Sequence, residues 1–428
     1  MDFIQHAKHM VLDPDNPGEV VEDTHLKQEL KVICQRLSGS PNPNRFAGSQ
    51  PVSLLREHMS ELTSKPWMVC EKSDGVRYLL LIHRINFVVH RRPASWDRVL
   101  NGQVGSCYLV SRKLEFITIP TLDHFLGESL LRSLDGTLLD GELVHDNVPL
   151  PDDVMPNVSP GNDEAAKKLL RLQSTFLIFD ALSVRNTFVG DLDLFDRLRA
   201  VQGEFMFRVR SNNPNPPPII PCVLTLKQMY ATLDIGFVLE DVIKSNLPHE
   251  NDGLIFTRID KPYKCGKTTD ILKWKPRHLN SVDFEIVAMW GQSDRGEPDW
   301  RYCYLNMAKF GSSLAYGPIW LDEQQHAYLK EKYGGKPAIV ECVLDDNWFQ
   351  YQPPRDQTVP WAETRRTPGQ AWKFLRVRED KHIANDFKTV QGVLQSIESG
   401  ITEETLISAL GRPLPQQRQR ARTSSSQG

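Results

Sequence analysis

The sequence lacks cysteine pairs spaced for a metal site, and it lacks long apolar runs. Its seven cysteines are scattered, none stands in a C-x-x-C pair, and their number is odd. This pattern is typical of a reducing compartment and argues against a disulfide framework or a zinc ribbon. No stretch approaches the ~20 apolar residues that a membrane-spanning helix needs, and the N-terminus has no apolar signal segment. We therefore expect a cytosolic or nuclear protein without a membrane partner.

The chain also lacks an excess of charge of either sign. Its formal net charge is −3 over 428 residues, and a hydrophobic content of 40% is typical of soluble globular proteins. Any binding of nucleic acid must therefore depend on local basic patches, since the charge of the whole chain does not favour it. The length is sufficient for two or three domains.

What the sequence does contain is a lysine, Lys72, placed between two apolar runs. Residues 67–70 and 78–82 have the composition of strands, and Asp74-Gly75 supplies the turn chemistry of a β-hairpin between them. A lysine amine attacks only when it is neutral, and rigid flanking strands can hold it in a cleft. In isolation, the Lys-x-Asp-Gly pattern is more often a turn with solvated charges.

Of two further Asp-Gly steps, the first repeats this pattern of strand, turn and strand, and the second begins a strand. Residues 138–144 carry Glu142 directly after the first step, and residues 251–256 carry Asp252 within the second. Acids at such turns can hold a divalent ion or a ribose, although turn capping is an equally good interpretation of each.

The segments between these steps have simpler patterns. Residues 176–182 predict a buried strand, and residues 192–198 have the apolar spacing of a helix. Residues 146–166 contain four prolines and predict a loop, whereas a helix is predicted over about 225–246.

Basic side chains alternate along two predicted strands. Lys273 and Lys275 are two residues apart, so their side chains are expected on one face. In the second group, Arg376, Arg378 and Asp380 stand at every second position, and Lys381 follows directly. Alternate cations on one face suit a row of phosphates, although an exposed strand of paired charges explains the second group as well. With Lys72 and the acids, these residues predict a site that binds a nucleoside triphosphate and attacks its α-phosphate.

Beyond Pro276 the patterns change to short strands separated by turns. They fall at residues 282–290, 301–307, 338–345 and 371–378, and their spacing predicts a small barrel or sandwich. Six tryptophans in this half are more often core residues than a platform for stacked bases. Helices are predicted at 383–398 and 402–410.

Six motifs, in this order, resemble those of the covalent nucleotidyltransferases and, among them, the messenger-RNA capping guanylyltransferases. They are Lys72-x-Asp74-Gly75-x-Arg77, Asp140-Gly141-Glu142, residues 176–182, Asp252-Gly253-Leu254-Ile255-Phe256, Leu272-Lys273-Trp274-Lys275-Pro276 and Arg376-x-Arg378-x-Asp380-Lys381. The capping enzymes are favoured over the ligases by residues 46–53, by Asp252 where ligases usually carry glutamate, and by the stretch from Trp372 to Asn385. The resemblance covers roughly residues 30–400.

The resemblance implies an α+β fold. Residues 1–278 are expected to form a nucleotidyltransferase (ATP-grasp or ligase-like) domain with antiparallel sheets and flanking helices, and residues 279–382 a C-terminal OB-fold β-barrel lid. The helices within 383–411 are expected to pack back on the first domain. Residues 412–428 are expected to be a disordered tail.

The resemblance also implies a reaction and its site. Lys72 attacks the α-phosphate of GTP, releases pyrophosphate and forms a lysyl-Nζ–GMP phosphoramidate, from which GMP passes to the 5′-diphosphate end of RNA. Mg²⁺ or Mn²⁺ is expected to neutralise the phosphates, with Glu142 and Asp252 as ligands. Arg77 is expected to contact the ribose, and Phe179 to stack on guanine. The full set of implied GTP-binding residues is Asp74, Arg77, Arg91, Glu142, Phe179, Lys227, Asp252, Lys273, Lys275, Arg376, Arg378, Asp380 and Lys381.

The implied partners are 5′-diphosphate RNA, the phosphorylated C-terminal tail of RNA polymerase II and a separate RNA 5′-triphosphatase, all in the nucleus. The triphosphatase is expected to be separate because the chain has no His-Cys-x-x-Gly-x-x-Arg phosphatase loop. Two alternatives remain: an ATP-dependent DNA or RNA ligase, which carries AMP on the same lysine, and a catalytically silent capping scaffold. The nucleotide that becomes attached to the protein, if any, distinguishes the three.

Overall fold

A computed structural model describes residues 12–14, 16–84, 106–149, 170–212, 220–245, 247–290, 298–351 and 366–411. The chain divides into two compact units. The first comprises Met1–Val52, Ser60–Lys273 and Ile407–Gly428, and the second comprises Ser53–Met59 and Trp274–Leu406. The main division thus falls close to the predicted boundary after residue 278, whereas nothing in the sequence indicated the assignment of Ser53–Met59. All seven cysteines are free thiols, as predicted.

The first unit is built on two sheets. Its strands are β1 (Glu19–Val20), β2 (Ser49–Ser53), β3 (Trp67–Ser73), β4 (Val76–Ile82), β5 (Cys107–Val110), β6 (Phe116–Thr118), β7 (Thr137–Pro149), β8 (Leu170–Val184), β9 (Thr187–Phe188), β10 (Val223–Leu226), β11 (Tyr230–Ala231), β12 (Asn251–Arg258) and β13 (Gly266–Trp274). The larger sheet has the order β1-β6-β5-β4-β7-β8-β10, with β9 paired to β8, and the smaller has the order β11-β3-β12-β13-β2. Strands β8 and β10 are parallel.

Helices in this part of the chain are short, apart from two. The α-helices are α1 (Thr24–Ser38), α2 (Met59–Ser64), α3 (Pro120–Ser133), α4 (Leu194–Ala200), α5 (Phe207–Asn212) and α6 (Ile235–Phe237), with 3₁₀ turns at Arg56–His58 and Thr232–Asp234 and π-helical segments at Val201–Met206 and Val238–Ile243. Helix α1 has clear local causes: the Asp23 side chain accepts a hydrogen bond from the Leu26 amide, and Gly39 ends the helix at φ 63°.

Strand β4 is central because both of its faces are buried. Tyr78, Leu80 and Ile82 belong to one hydrophobic cluster, whereas Leu79 and Leu81 belong to another that includes α1 residues. A strand buried on both faces has a continuous apolar sequence, which is why residues 78–82 were recognisable as a strand.

The predicted β-hairpin around Lys72 is wrong. Strand β3 pairs with β11 and β12 in the smaller sheet, whereas β4 pairs with β5 and β7 in the larger one. Asp74-Gly75 therefore carries the chain from one sheet to the other. Glycine is required because a Cβ at position 75 would lie 2.5 Å from the carbonyl oxygen of Leu143.

Three other predictions need correction. Residues 138–144 do not form two strands around a turn, because β7 runs through Asp140-Gly141 with only a shift of register towards β8. The prediction of a loop at 146–166 is wrong for residues 146–149, which belong to β7, and its remaining residues lie outside the described part of the chain. The predicted helix at 225–246 is wrong in its first part, where β10 and β11 lie, and only residues 232–243 are helical. The strand at 176–182 and the helix at 192–198 are confirmed by β8 and α4.

The second unit contains one five-stranded antiparallel sheet, two helices and the first half of a third, whose residues from Ile407 on belong to the first unit. They are β14 (Ser281–Trp290), β15 (Pro298–Lys309), β16 (Ser312–Ile319), α7 (Glu323–Tyr333), β17 (Ala338–Tyr351), β18 (Arg366–Val377), α8 (Phe387–Ser399) and α9 (Glu403–Leu410), with a 3₁₀ turn at Arg277–Leu279. The order is β16-β15-β14-β17-β18, and within the described residues no pairing joins the first and last strands. The four predicted strands are confirmed, and the closed OB-fold barrel stays a prediction.

The core of the second unit lies between this sheet and helix α8. Buried Val390 of α8 joins the cluster that contains Val340, Phe374 and Trp372. Helix α8 thus packs on the sheet of the second unit, and the packing of the helices within 383–411 on the first domain stays a prediction. Trp372 lies 5.1 Å from Phe284, ring centre to ring centre, so this tryptophan is a core residue, as predicted. Among the described residues, no helix could cross a membrane.

Candidate active site

Lys72 lies on β3 opposite a bulge in β12. Asn251 pairs with Ser73 and Leu254 pairs with Glu71, so Asp252 and Gly253 together face the single residue Lys72. Gly253 has a φ of 143°, which favours glycine. The bulge directs the Asp252 carboxylate to Lys72, with Oδ1 2.6 Å from Nζ, and the two side chains remain 17% and 23% exposed. The amine is thus held in place by an acid and is still accessible.

Glu142 lies on β7, directly across from Arg77 on β4. Burial raises the pKa of the Glu142 carboxyl, and the nearby cations Lys227, Lys72 and Arg77 lower it in part. The side chain is therefore close enough to the Lys72 amine to feel its charge. A buried carboxylate in such a position favours the binding of a further cation.

Glu142 and Asp252 fit a metal that is bound jointly with a nucleotide. Both acids interact electrostatically with Lys72. Within the part of the chain that the structure describes, no group of three or more His, Cys, Asp or Glu residues could hold a metal by itself. Mg²⁺ commonly uses one or two carboxylates and takes its other ligands from water and substrate phosphates. The donor set is of this kind.

Arg77 on β4 is buried and forms hydrogen bonds with residues of β7 and β2. Its Nε and Nη2 donate to Asp140 Oδ1 and Oδ2 at 2.9 and 2.5 Å, and its Nη1 donates to the carbonyl oxygen of Ser49. Asp140 also accepts a hydrogen bond from the Tyr263 hydroxyl. Burial lowers the pKa of Arg77, but the charge and hydrogen bonds of Asp140 outweigh burial. The pKa of Arg77 is therefore raised above its usual value. The guanidinium lies 5.2 Å from the centre of the Phe179 ring, so it also fixes the predicted base-stacking side chain. Contact of Arg77 with a ribose stays a prediction.

A second buried ion pair, which the sequence did not indicate, supports the strand that carries Phe179. Arg197 Nε and Nη2 donate to the two oxygens of Asp180 at 2.6 and 2.9 Å. The Nη1 of Arg197 donates to the carbonyl oxygens of Leu192 and Lys261. Burial raises the pKa of Asp180, and Arg197 lowers it in part. The pair fixes strand β8 against helix α4.

Lys227 follows β10 and lies beneath β3. Its Nζ donates to Ser73 Oγ at 2.6 Å and lies 3.4 Å from Glu71 Oε1, and its side chain is only 4% exposed. Lys227 therefore contacts both chain neighbours of Lys72, and its charge also acts on Glu142. It lies on the face of β3 opposite to Lys72, and its contact with a phosphate stays a prediction.

The other predicted residues of this region are placed less specifically. Asp74 is exposed, and its amide donates to the carbonyl oxygen of Glu250 at 2.8 Å. Lys273 lies on β13, whereas Lys275 lies just beyond the end of that strand and in the second unit. Both lysines are half-buried and alternate with buried neighbours, as their spacing predicted. Arg91 lies outside the described residues.

In the second unit the predicted cations are paired with acids. Arg376 Nε donates to Glu341 at 2.8 Å. Arg378 donates to both oxygens of Asp380, at 2.9 and 2.7 Å, which lowers the pKa of Asp380 to about 2. The pairing of these charges with acids is therefore confirmed, but only Arg376 lies on the strand, because β18 ends at Val377. Binding of phosphates stays a prediction.

One buried acid, Asp283 on β14, organises this group and was not identified from the sequence. Its carboxylate accepts hydrogen bonds from Arg378, at 3.1 Å, and from Lys381. Its amide donates to the Asn385 side chain. The only local signal is an acid between two apolar residues of a predicted strand, which is too common to be specific.

Arg112 is the other missed residue. It lies in the turn between β5 and β6, where burial and then Arg77 lower its pKa, while Glu142 and Asp140 act in the opposite direction. The guanidinium therefore lies within the electrostatic range of the site. In the sequence, an arginine one residue beyond Ser111 gave no indication of this position.

Two family models and several curated relatives match most of the chain. The model of the mRNA capping enzyme catalytic domain matches residues 15–277, and the model of its C-terminal domain matches residues 279–407. The mRNA-capping enzyme subunit alpha of Saccharomyces cerevisiae is 30% identical, over 96% of this chain and 93% of that protein. The protein of the same name from Schizosaccharomyces pombe is 32% identical, over 89% and 83%.

A solved structure of mycobacterial DNA ligase D, complexed with ATP and MES, aligns with 78% of this chain and 95% of its own at 16% identity and a TM-score of 0.35. The two domain models follow each other along the chain and together cover most of it. The chain belongs to the mRNA capping enzyme family and is a nucleotidyltransferase.

Proposed function

We propose that the protein is an mRNA guanylyltransferase that transfers GMP from GTP to the 5′-diphosphate end of RNA through a lysyl-Nζ–GMP intermediate. The observation that supports this most is the accessible Lys72 amine, 2.6 Å from Asp252 and within the fields of Glu142 and Lys227. A nucleophilic lysine requires an adjacent group that holds it and can take its proton.

In the first step, the Nζ–phosphorus bond forms and the bond from the α-phosphorus to pyrophosphate breaks. Asp252 is placed to accept the proton that Nζ loses, because its Oδ1 lies 2.6 Å from that nitrogen. Lys227 adds positive charge on the buried side of β3. Mg²⁺ or Mn²⁺, held with the nucleotide by Glu142 and Asp252, would supply neutralisation of the phosphate charge.

In the second step, a terminal oxygen of 5′-diphosphate RNA attacks the same phosphorus, and the bond to Nζ breaks. The amine leaves as a neutral or protonated group, and Asp252 is placed to return the proton. Arg77 and Phe179 are held rigidly throughout by Asp140, so the base and sugar of the bound nucleotide would keep one position.

The proposal includes a nuclear location and two protein partners, a separate RNA 5′-triphosphatase and the phosphorylated C-terminal tail of RNA polymerase II. The relatives of both yeasts carry the name subunit alpha, which supports the existence of a second subunit.

Labelling with nucleotides tests the proposal. We expect α-labelled GTP with Mg²⁺ or Mn²⁺ to leave label on the protein after denaturing electrophoresis, and mass spectrometry to find GMP on Lys72. Pyrophosphate should remove the label, and 5′-diphosphate RNA should accept it whereas 5′-monophosphate RNA should not. Label from ATP instead would identify a ligase, and no label from either nucleotide would favour a silent scaffold.

A further inference from the structure

A cluster of buried polar side chains lies under β3, on the face opposite to Lys72. Side chains alternate along a strand, and Glu71 and Ser73 are buried whereas Lys72 between them is half-buried. The cluster, called here the histidine cluster, consists of Glu71, Ser73, Asp146, Lys227 and His249. All of these residues belong to the first unit.

His249 lies at the centre of the histidine cluster. Its Nδ1 is 2.8 Å from Asp146 Oδ1, and its Nε2 is 3.6 Å from Glu71 Oε1 and 3.4 Å from Ser73 Oγ. The ring is 6% exposed, and the two carboxylates are 13% and 7% exposed. Two buried carboxylates at one ring repel each other unless a cation lies between them.

The ring is accordingly held as a cation. Burial lowers the pKa of His249, but the hydrogen bonds to Asp146 and Glu71 outweigh it and raise the pKa to about 9. The charged groups that face the ring are Asp146 from β7 and Glu71 from β3, and the Lys227 amine lies 3.4 Å from the same Glu71 oxygen that His249 approaches. Burial raises the pKa of Glu71, but His249 and Lys227 more than reverse this.

The backbone around His249 makes a second set of contacts with the same two strands. The Asp74 amide donates to the carbonyl oxygen of Glu250 at 2.8 Å, and the Asn147 amide donates to that of Pro248 at 2.6 Å. Strand β3 belongs to the smaller sheet and β7 to the larger. Residues 248–250 therefore join the end of β3 that follows Lys72 to β7 at Asp146 and Asn147, on the strand that also carries Glu142.

We infer that His249 is a positioning residue for nucleotide transfer: as a cation between Asp146 and Glu71, it fixes the distance between the two sheets and thereby the placement of Lys72 relative to Glu142. The inference rests on the proposed function, because its main readout is formation of lysyl-GMP. His249 does not contact the nucleotide. Its loss changes how β3 and β7 meet, and displacements of about 1 Å at a reacting group can cost about 10²-fold in rate.

The test compares His249→Gln with His83→Gln. Glutamine keeps a polar side chain but cannot carry charge. His83 is a matched control because its Nδ1 also lies 3.0 Å from an aspartate, Asp135, beyond the other end of β4. Under single turnover with saturating GTP at about pH 7.5, we expect His249→Gln to slow lysyl-GMP formation about tenfold or more, with little change in the GTP concentration for half-maximal rate. His83→Gln should stay within about twofold of wild type.

A pH series separates this role from a general loss of structure. The folded pKa of His249 lies above the value of 6.5 for a free histidine, so the stabilisation is complete below about 6.5 and is lost as pH rises through about 9. The wild-type rate should therefore fall on the alkaline side of about pH 9, and His249→Gln should lack that fall. Adding Asp146→Asn to His249→Gln should restore much of the rate, because it removes one of the two opposed carboxylates.

A rate for His249→Gln close to that of wild type, an unchanged alkaline fall in that variant, or no recovery in the double variant would overturn the inference. Absence of lysyl-GMP in wild type would instead contradict the proposed function. In that case thermal unfolding still tests the histidine cluster: the midpoint of wild type should fall more between about pH 6.5 and 9.5 than that of His249→Gln. Equal falls of the unfolding midpoint in wild type and His249→Gln would overturn the inference.

Discussion

Replacing Lys72 by alanine is expected to abolish the covalent nucleotide adduct. The attacking amine is removed, so the covalent route itself is lost, and the rate should fall by more than about 10³-fold. The fold should be retained, because Lys72 is 23% exposed and its main contact is the equally accessible Asp252. The measurement is retention of label from α-labelled GTP after denaturing electrophoresis, with circular dichroism to compare the folded proteins.

The control is Lys65→Ala, which removes an exposed lysine just before β3 and should label as wild type does. Binding of GTP to Lys72→Ala should persist weakly, because the contacts of Arg77, Phe179 and Lys227 do not depend on the Lys72 side chain. Label that remains on Lys72→Ala would contradict the assignment of the nucleophile. Loss of label from both lysine variants would point to an effect on folding instead.

The sequence predicted the chemistry of this site better than its architecture. Lys72, Glu142 and Asp252 were identified because each stands beside an Asp-Gly or Lys-x-Asp-Gly step, a local signal. The sheet in which β3 pairs was not identifiable, because the composition of a strand does not by itself select its partner strand. The predicted hairpin failed for this reason, although both of its strands exist.

Residues that act through long-range contacts were also missed. His249 lies 176 positions after Ser73, and Asp283 lies 95 positions before Arg378, so only the folded chain brings each pair together. Strand β16 was missed because its residues are mostly exposed and have no alternation. Helix α7 was missed for another reason. Its capping box of Asp322 and Gln325 is a local sequence signal, but few apolar residues follow it to indicate a helix.

Replacing Arg197 by methionine is expected to lower the free energy of unfolding of the first unit by about 3–5 kcal/mol. Methionine has a comparable volume but leaves Asp180, which is 4% exposed, as a buried carboxylate without its cation. Burial already raises the pKa of Asp180 above its usual value, even with Arg197 present. A carboxyl whose folded pKa is raised destabilises the fold increasingly as pH rises above the unfolded value, so the deficit should be smaller at about pH 5 than at about pH 8.

The matched control is Arg199→Met, which breaks the exposed pair of Arg199 and Asp196 two positions along the same helix. Those side chains are 76% and 44% exposed, and such pairs contribute only about 0–1 kcal/mol. Urea unfolding followed by circular dichroism measures both variants. Combining Arg197→Met with Asp180→Leu should recover most of the loss, because an apolar pair can replace a buried ion pair. If Arg197→Met matched Arg199→Met, the Arg197–Asp180 pair would not be what fixes β8 and Phe179, and the support of the base-binding side chain would have to come from Arg77 and Asp140 alone.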